Sequence, residues 1–245
     1  MTSTSGTGPR PHAGSHRPRL RPVGDRADAE PASEQPEKKV DGRVARSHRT
    51  RLAIIDALRA HHRDGNLVPT TAQVAERAGV SRRTVWQHFA DLETLFAEAG
   101  RRDVEIAVSM VEPVDPDEPL APRIALFTSQ RSRLLEEMTP SWRAARIQEP
   151  FSAQIRENKA RMIALGRKDL QHAFAPELRR LKGKRRAQVE NAAMVATMWP
   201  AWESLRTELG CSPSEARAVM ASMLTGLLGG VAITGQATGA TENQS

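Results

Sequence analysis

Thr71-Ala72-Gln73-Val74-Ala75-Glu76-Arg77-Ala78-Gly79-Val80-Ser81-Arg82-Arg83-Thr84-Val85-Trp86-Gln87-His88-Phe89 reads as two short helices crossing closely at a sharp turn. Val74, Ala75 and Ala78 lie at helical spacing and give the first helix one apolar face, while the methyl-sized Ala75 admits a close second helix. Gly79 follows at once, and glycine adopts without a Cβ clash the left-handed conformation that closes a helix before a tight turn. Ser81 restarts the chain: its hydroxyl can accept a free backbone N–H of a helix opening at Arg82, and Val80, Val85 and Phe89 would fix that helix against the first. Arg82, Arg83, Thr84, Trp86, Gln87 and His88 are left exposed. Such residues fork to guanine edges, touch a thymine methyl, bond adenine or hold phosphate oxygens, so the segment is read as a helix-turn-helix that enters the major groove of DNA. The plainer alternative makes Gly79 the end of one amphipathic helix and the arginines a solvated face. Against it, turn, cap, packing positions and basic face all agree.

The flanks supply what such a pair needs. Upstream, Arg46 to Arg63 carries Leu52, Ile55 and Leu58 on one stripe with Ile54 beside it, ends near Asp64-Gly65-Asn66, and predicts a supporting helix. Downstream, Asp91 is a natural N-cap, and Leu92, Leu95, Phe96 and Ala99 recur at helical spacing towards Ile106 and Met110 as one longer connecting helix.

The order Leu52 to Leu58, Thr70-Thr71, Val74-Ala75, Ala78-Gly79-Val80-Ser81, Thr84-Val85, His88-Phe89 and Asp91 resembles the N-terminal domain of the tetracycline-repressor (TetR) family of bacterial transcription regulators, over about Arg46 to Gly100. The resemblance implies phosphate contacts from a hydroxyl residue opening the second helix, from an aromatic residue and a histidine on the third, and often from a lysine opening the fourth. The matching positions are Thr71, Trp86, His88 and Leu92. Trp86 stands where tyrosine is usual and offers an indole N–H; Leu92 cannot bind phosphate, leaving Arg46, Arg49 and Arg51 as substitutes.

Charge agrees with that reading. The chain has 245 residues, 36 Lys+Arg against 29 Asp+Glu, a formal net charge of +7 and a pI near 10.4. From Arg43 to Arg102 there are eleven arginines and six acids, an excess of five on one small region. A generic basic surface binds any nucleic acid weakly and salt-sensitively, whereas a formed reading helix adds selectivity.

Other classes find little support. There is no Gly-rich phosphate loop, no His-Glu-x-x-His and no nucleophile elbow, so no catalytic residue, metal site or cofactor is expected. His61-His62 are adjacent on a helix and point in different directions, which argues against a shared ion. The lone Cys211 excludes an intramolecular disulfide and reads as a small residue of the Gly210-Cys211-Ser212-Pro213 turn rather than a redox switch. Val219 to Thr234 is shorter than the roughly 20 apolar residues of a membrane span. A cytoplasmic protein without a membrane partner is expected.

The expected architecture is all-α in four parts. Residues 1–42 form a disordered tail whose Arg17, Arg19 and Arg21 either touch DNA or serve no defined role; 43–100 are the helix-turn-helix domain, 101–234 a helical regulatory and dimerisation domain, and 235–245 a second disordered tail. In the larger domain, Ile124, Phe127, Leu134, Leu135 and Met138 predict one helix. Pro140 and Pro150 bracket a short one around Trp142 to Ile147, and a longer one runs from Phe151 to about Phe174 until Pro176 breaks it. Leu178 to Lys184 connects to a helix from about Arg185 to Leu209, kinked at Pro200, and Ser214 to about Ile233 forms the last.

The family resemblance implies that the last two helices pair with the same helices of a second subunit, with Val219, Met220, Met223, Leu224, Leu227 and Leu228 at the interface; ordinary intrachain core is the alternative for that stripe. A homodimer would set two reading helices about 34 Å apart on a pseudo-palindromic operator in double-stranded DNA. The resemblance further implies a pocket for an unknown small-molecule effector, with Phe127, Met162, Met194, Met198, Trp199 and Trp202 as candidate lining; for each of them plain core is the leading alternative. The expected function is a ligand-responsive repressor. A helical ligand-binding or structural protein with only non-specific DNA affinity is the alternative.

Overall fold

A computed structural model describes residues 37–239, with side chains for 42–230. Ten α-helices follow one another among the described residues: α1 (Glu37–Arg63), α2 (Thr71–Arg77), α3 (Arg82–His88), α4 (Leu92–Met110), α5 (Leu120–Gln148), α6 (Ala153–Ala173), α7 (Ala175–Arg180), α8 (Gly183–Thr197), α9 (Trp199–Glu203) and α10 (Pro213–Gly239). The described residues contain no strand. The fold is all-α, as expected. Most of the expected N-terminal tail, including Arg17, Arg19 and Arg21, and residues 240–245 lie outside the described residues. Both outer helices overrun their expected limits: α1 opens at Glu37 rather than Arg46, and α10 continues to Gly239.

A first core joins the N-terminal helices. Ile54, Ile55 and Leu58 of α1, Val74 and Ala75 of α2, Val85 of α3 with Phe89 after it, and Leu95, Phe96 and Ala99 of α4 are all buried together. Full burial of side chains such as Val85 or Phe89 contributes about 1.5–3 kcal/mol each, so apolar contact rather than surface ion pairing sets the angle of α3. This core does not end at the expected domain limit. Ala144 of α5 and Ile155 of α6 are part of it, which ties the N-terminal helices to the body through α4, packed on both α5 and α6.

The body departs from the sequence reading at its prolines. Pro140 does not end a helix: α5 runs through it from Leu120 to Gln148. Met138, Ser141 and Ala144 are buried on either side, and Thr139 Oγ1 donates to the Leu135 carbonyl at 2.6 Å in the turn where proline withdraws a donor. Packing on both flanks outweighs the lost bond. Pro200, expected to kink a helix, instead stands in the first turn of a new one, because Met198 is extended at φ −89°, ψ 158° and α9 starts afresh at Trp199. Proline fits a helix start, where the N–H it lacks has no intrahelical partner. Pro176, expected to break the preceding helix, likewise stands in the first turn of the short α7.

The final helix corrects the expected subunit interface at three of its six residues. Met220, Leu224 and Leu228 are fully buried in the chain's own core, Met220 beside Leu135 and Trp202, Leu224 and Leu228 beside Phe127, Phe174 and Val189. Val219 and Leu227 are half-buried at the edge of that core, and only Met223 is exposed. An apolar stripe records that a face is covered, not by which chain; here α5 and α8 cover it.

Candidate nucleic-acid interface

Local bonds build the α2–α3 corner. Thr70 Oγ1 accepts the Gln73 N–H at 3.3 Å while Gln73 Oε1 accepts the Thr70 N–H at 2.8 Å, a reciprocal capping box that starts α2. At the other end Gly79 takes φ +66°, its N–H reaching the Glu76 carbonyl and the Val80 N–H the Ala75 carbonyl, both near 3 Å. This pairing closes a helix with a left-handed residue, and a Cβ on Gly79 would meet nothing within 4 Å, so backbone conformation alone asks for glycine. Ser81 Oγ then accepts the Thr84 N–H at 3.0 Å and caps α3. Val85 and Phe89 turn inward, at 0% and 1% exposure.

The outward side of α3 carries Arg82, Arg83, Trp86 and Gln87, all exposed, with Trp86 45% accessible. Neither arginine has an ion-pair partner among the described residues. Thr84 is less free than expected: it is half-buried, and its hydroxyl lies 2.9 Å from Ser81 Oγ, at the cap of α3. Thr71 and His88 are half-buried at the rim of this face, and Arg46 is exposed on α1. Of the substitutes for the absent lysine at Leu92, Arg51 is committed elsewhere. Its guanidinium donates to the His88 carbonyl at 2.5 Å, pairs with Glu98 at 3.2 Å and lies 4.5 Å from the Phe89 ring centre. It pins the end of α3, while Arg46 and Arg49 stay exposed on the helix that precedes it.

Beside the N-terminal helices lies a cavity of about 360 Å³, walled by α4, α5, α6 and the α8–α9 break. Of the six residues expected at a pocket, Met162, Met194, Met198 and Trp199 line this cavity. Phe127 and Trp202 do not: Phe127 packs edge-on against Phe174, and Trp202 is fully buried with its indole N–H donating to Glu136 at 2.8 Å. Both are core aromatics.

The polar residues of this wall escaped the sequence reading, His62, Asp103, Arg131 and Asn158 among them. His62 is 4% exposed, stacked on Phe96, and neither ring nitrogen has a partner; burial, then the charge of Arg59, lowers its pKa to about 4, so the ring is neutral. His61 points elsewhere, with Nε2 at 3.1 Å from the Gln73 carbonyl. Asp103 takes the Arg59 Nε–H at 2.8 Å, and burial pushes its carboxyl up to about 6 against that cation. Arg59 also reaches Glu137 at 3.4 Å, so one buried guanidinium joins α1, α4 and α5. The available signal was register: His62 continues the Ile55 stripe at i+7, and Asp103 stands four residues from both Ala99 and Ala107. A polar residue in an apolar register marks a buried polar group.

No protein-family model matches the sequence, nor does any curated protein. Solved structures do match. A transcriptional regulator from Rhodococcus sp. Rha1 superposes over 74% of this chain and 96% of its own, with a TM-score of 0.59 and 19% identity. A protein from Mesorhizobium loti MAFF303099 described as a TetR-family transcriptional regulator covers 75% of this chain and 97% of its own, with a TM-score of 0.56 and 20% identity. The chain has the fold of TetR-family regulators.

Proposed function

We propose that the protein is a sequence-specific DNA-binding transcription regulator that works as a homodimer on a pseudo-palindromic operator and is released from it by a small molecule. The observation that carries this reading is the face of α3: two unpaired arginines, an exposed indole and an exposed glutamine on a helix whose caps and inward contacts are all satisfied. Arg82, Arg83 and Gln87 would read base edges, with Thr71, Trp86, His88 and Arg46 holding phosphates beside them. Thr84 would offer its methyl to a thymine.

Coupling to a ligand would run through α4, because Phe96 belongs both to the first core and to the cavity wall, and His62 of α1 reaches the same wall. A molecule favouring one placement of α4 over another lowers operator affinity by its own difference in affinity between the two. The second subunit would cover the outward sides of α8 and α10, where Val195 is 64% and Met223 38% accessible and Gly226 permits close approach. Val219 and Leu227 would border that contact. A cytoplasmic repressor fits these parts, and no helix among the described residues is long and apolar enough to cross a membrane.

A gel shift with DNA from upstream of the protein's own gene tests the reading. A complex that survives excess unrelated competitor supports it; one removed as readily by any duplex leaves a basic helical protein and overturns specific regulation.

A further inference from the structure

The cavity wall is mostly apolar, with Phe96, Leu135, Trp142, Met162 and Trp199 around it, yet its charges are unevenly matched. Its two acids are already held: Asp103 by Arg59, and Glu149 by both Nζ contacts of Lys159 at 2.8 and 2.9 Å. Its two arginines are held loosely or not at all. Arg146 has no ion pair among the described residues, and it is exposed at the cavity's edge.

Arg131 is the more telling residue. Its side chain is 11% exposed, and its one carboxylate neighbour, Asp169, stands 3.8 Å away and is itself 39% exposed. Among the described residues the guanidinium makes no hydrogen bond; it lies over the Phe127 ring at 5.1 Å and along Gly166, where a Cβ would come within 3.3 Å of Nη1. Glycine at that position thus leaves room for the fork to lie flat against α6. Five N–H donors beside an apolar cavity suit a planar carboxylate or another compact oxyanion, which they bind in parallel pairs. His62 adds a second, independent observation: a 96% buried imidazole in the same wall with both nitrogens unpartnered, the kind of group whose missing hydrogen bond a bound molecule supplies.

We infer that the cavity is a site for an apolar organic anion, a flat hydrocarbon body carrying one acid group, with Arg131 as the anchor of that group. The inference rests on the effector reading for its biological sense, but not for its chemistry. Cationic or strongly hydrophilic ligands would leave the two arginines opposed and the aromatic wall wet.

The test is made on the full chain without DNA, using two fluorescent dyes that share a body and differ in charge: anilinonaphthalene sulfonate and its uncharged parent, N-phenyl-1-naphthylamine. The wild type should bind the anion at least tenfold more tightly than the neutral dye, and 2-naphthoate should displace it where 2-naphthalenemethanol does not. Arg131→Gln should abolish the preference and leave the neutral dye's affinity within twofold. Equal binding of the two dyes by the wild type, or a preference that survives in Arg131→Gln, overturns the inference. Should that variant fail to fold by circular dichroism, the wild-type dye ratio and the naphthoate competition decide the matter alone. An anion that binds with the expected preference and leaves operator affinity unchanged removes the effector reading while the anion site stands.

Discussion

The α2–α3 corner and the cavity wall handle polar groups in opposite ways. In the corner, the side chains that shape the backbone find partners three residues away: Thr70 with Gln73, Ser81 with Thr84, and at the next helix Asp91 with the Thr94 N–H at 2.7 Å. The groups left over point to water, where they cost nothing while unbound. In the wall, Asp103 is satisfied from 44 residues away, Asn158 reaches the Ala97 carbonyl from 61 away, and His62 is not satisfied at all. A surface built by local bonds can change its outward residues without unfolding; a wall built by long-range polar contacts cannot. Substitutions should therefore separate binding from stability according to region.

The largest effect is expected at the buried pair. Asp103→Ala leaves the Arg59 guanidinium, 7% exposed, with only the longer contact to Glu137 at 3.4 Å, and should lower unfolding free energy by about 3 kcal/mol in a denaturant titration. A loss below about 1 kcal/mol would mean that the wall tolerates an unmatched charge and would erase the contrast.

Acid sharpens it further. The folded-state pKa of His62, about 4, lies below its ordinary 6.5, so the native state binds fewer protons and loses stability as pH falls from about 6.5 to about 4. Asp103, raised to about 6 by burial, acts the other way between about 6 and 3.8, since the native carboxyl takes up its proton first. The two offset in the wild type. His62→Gln removes one side only, so the variant should gain about 3 kcal/mol relative to the wild type across that window, read as paired thermal melts at several pH values. A constant difference would show that the imidazole is not held neutral.

On the outward face of α3 the expected signature reverses. Arg82→Ala should weaken operator binding by about 1–3 kcal/mol at one base position and leave the melting temperature in place. Uniform weakening across all operator variants would reassign Arg82 to phosphate. The smallest effect belongs to the cap: Ser81→Ala leaves the Thr84 N–H without its acceptor and should cost about 1 kcal/mol of stability. A larger loss of DNA affinity than of stability there would show that the start of α3 itself touches the duplex.

The sequence by itself determined the all-α class, the helix-turn-helix corner down to its glycine and its serine cap, and the outward placement of Arg82, Arg83, Trp86 and Gln87 on α3. Each of these depends on interactions within a few residues, which spacing and side-chain chemistry encode directly. Only the tertiary structure decided that Pro140 lies inside a helix, that Arg51 is tied to α3, that Met220, Leu224 and Leu228 belong to the chain's own core, and that His62, Asp103 and Arg131 share one cavity. Those facts depend on which distant helix covers a given face, and an apolar or misplaced polar residue carries in its local pattern the need for a partner, but not the partner's address.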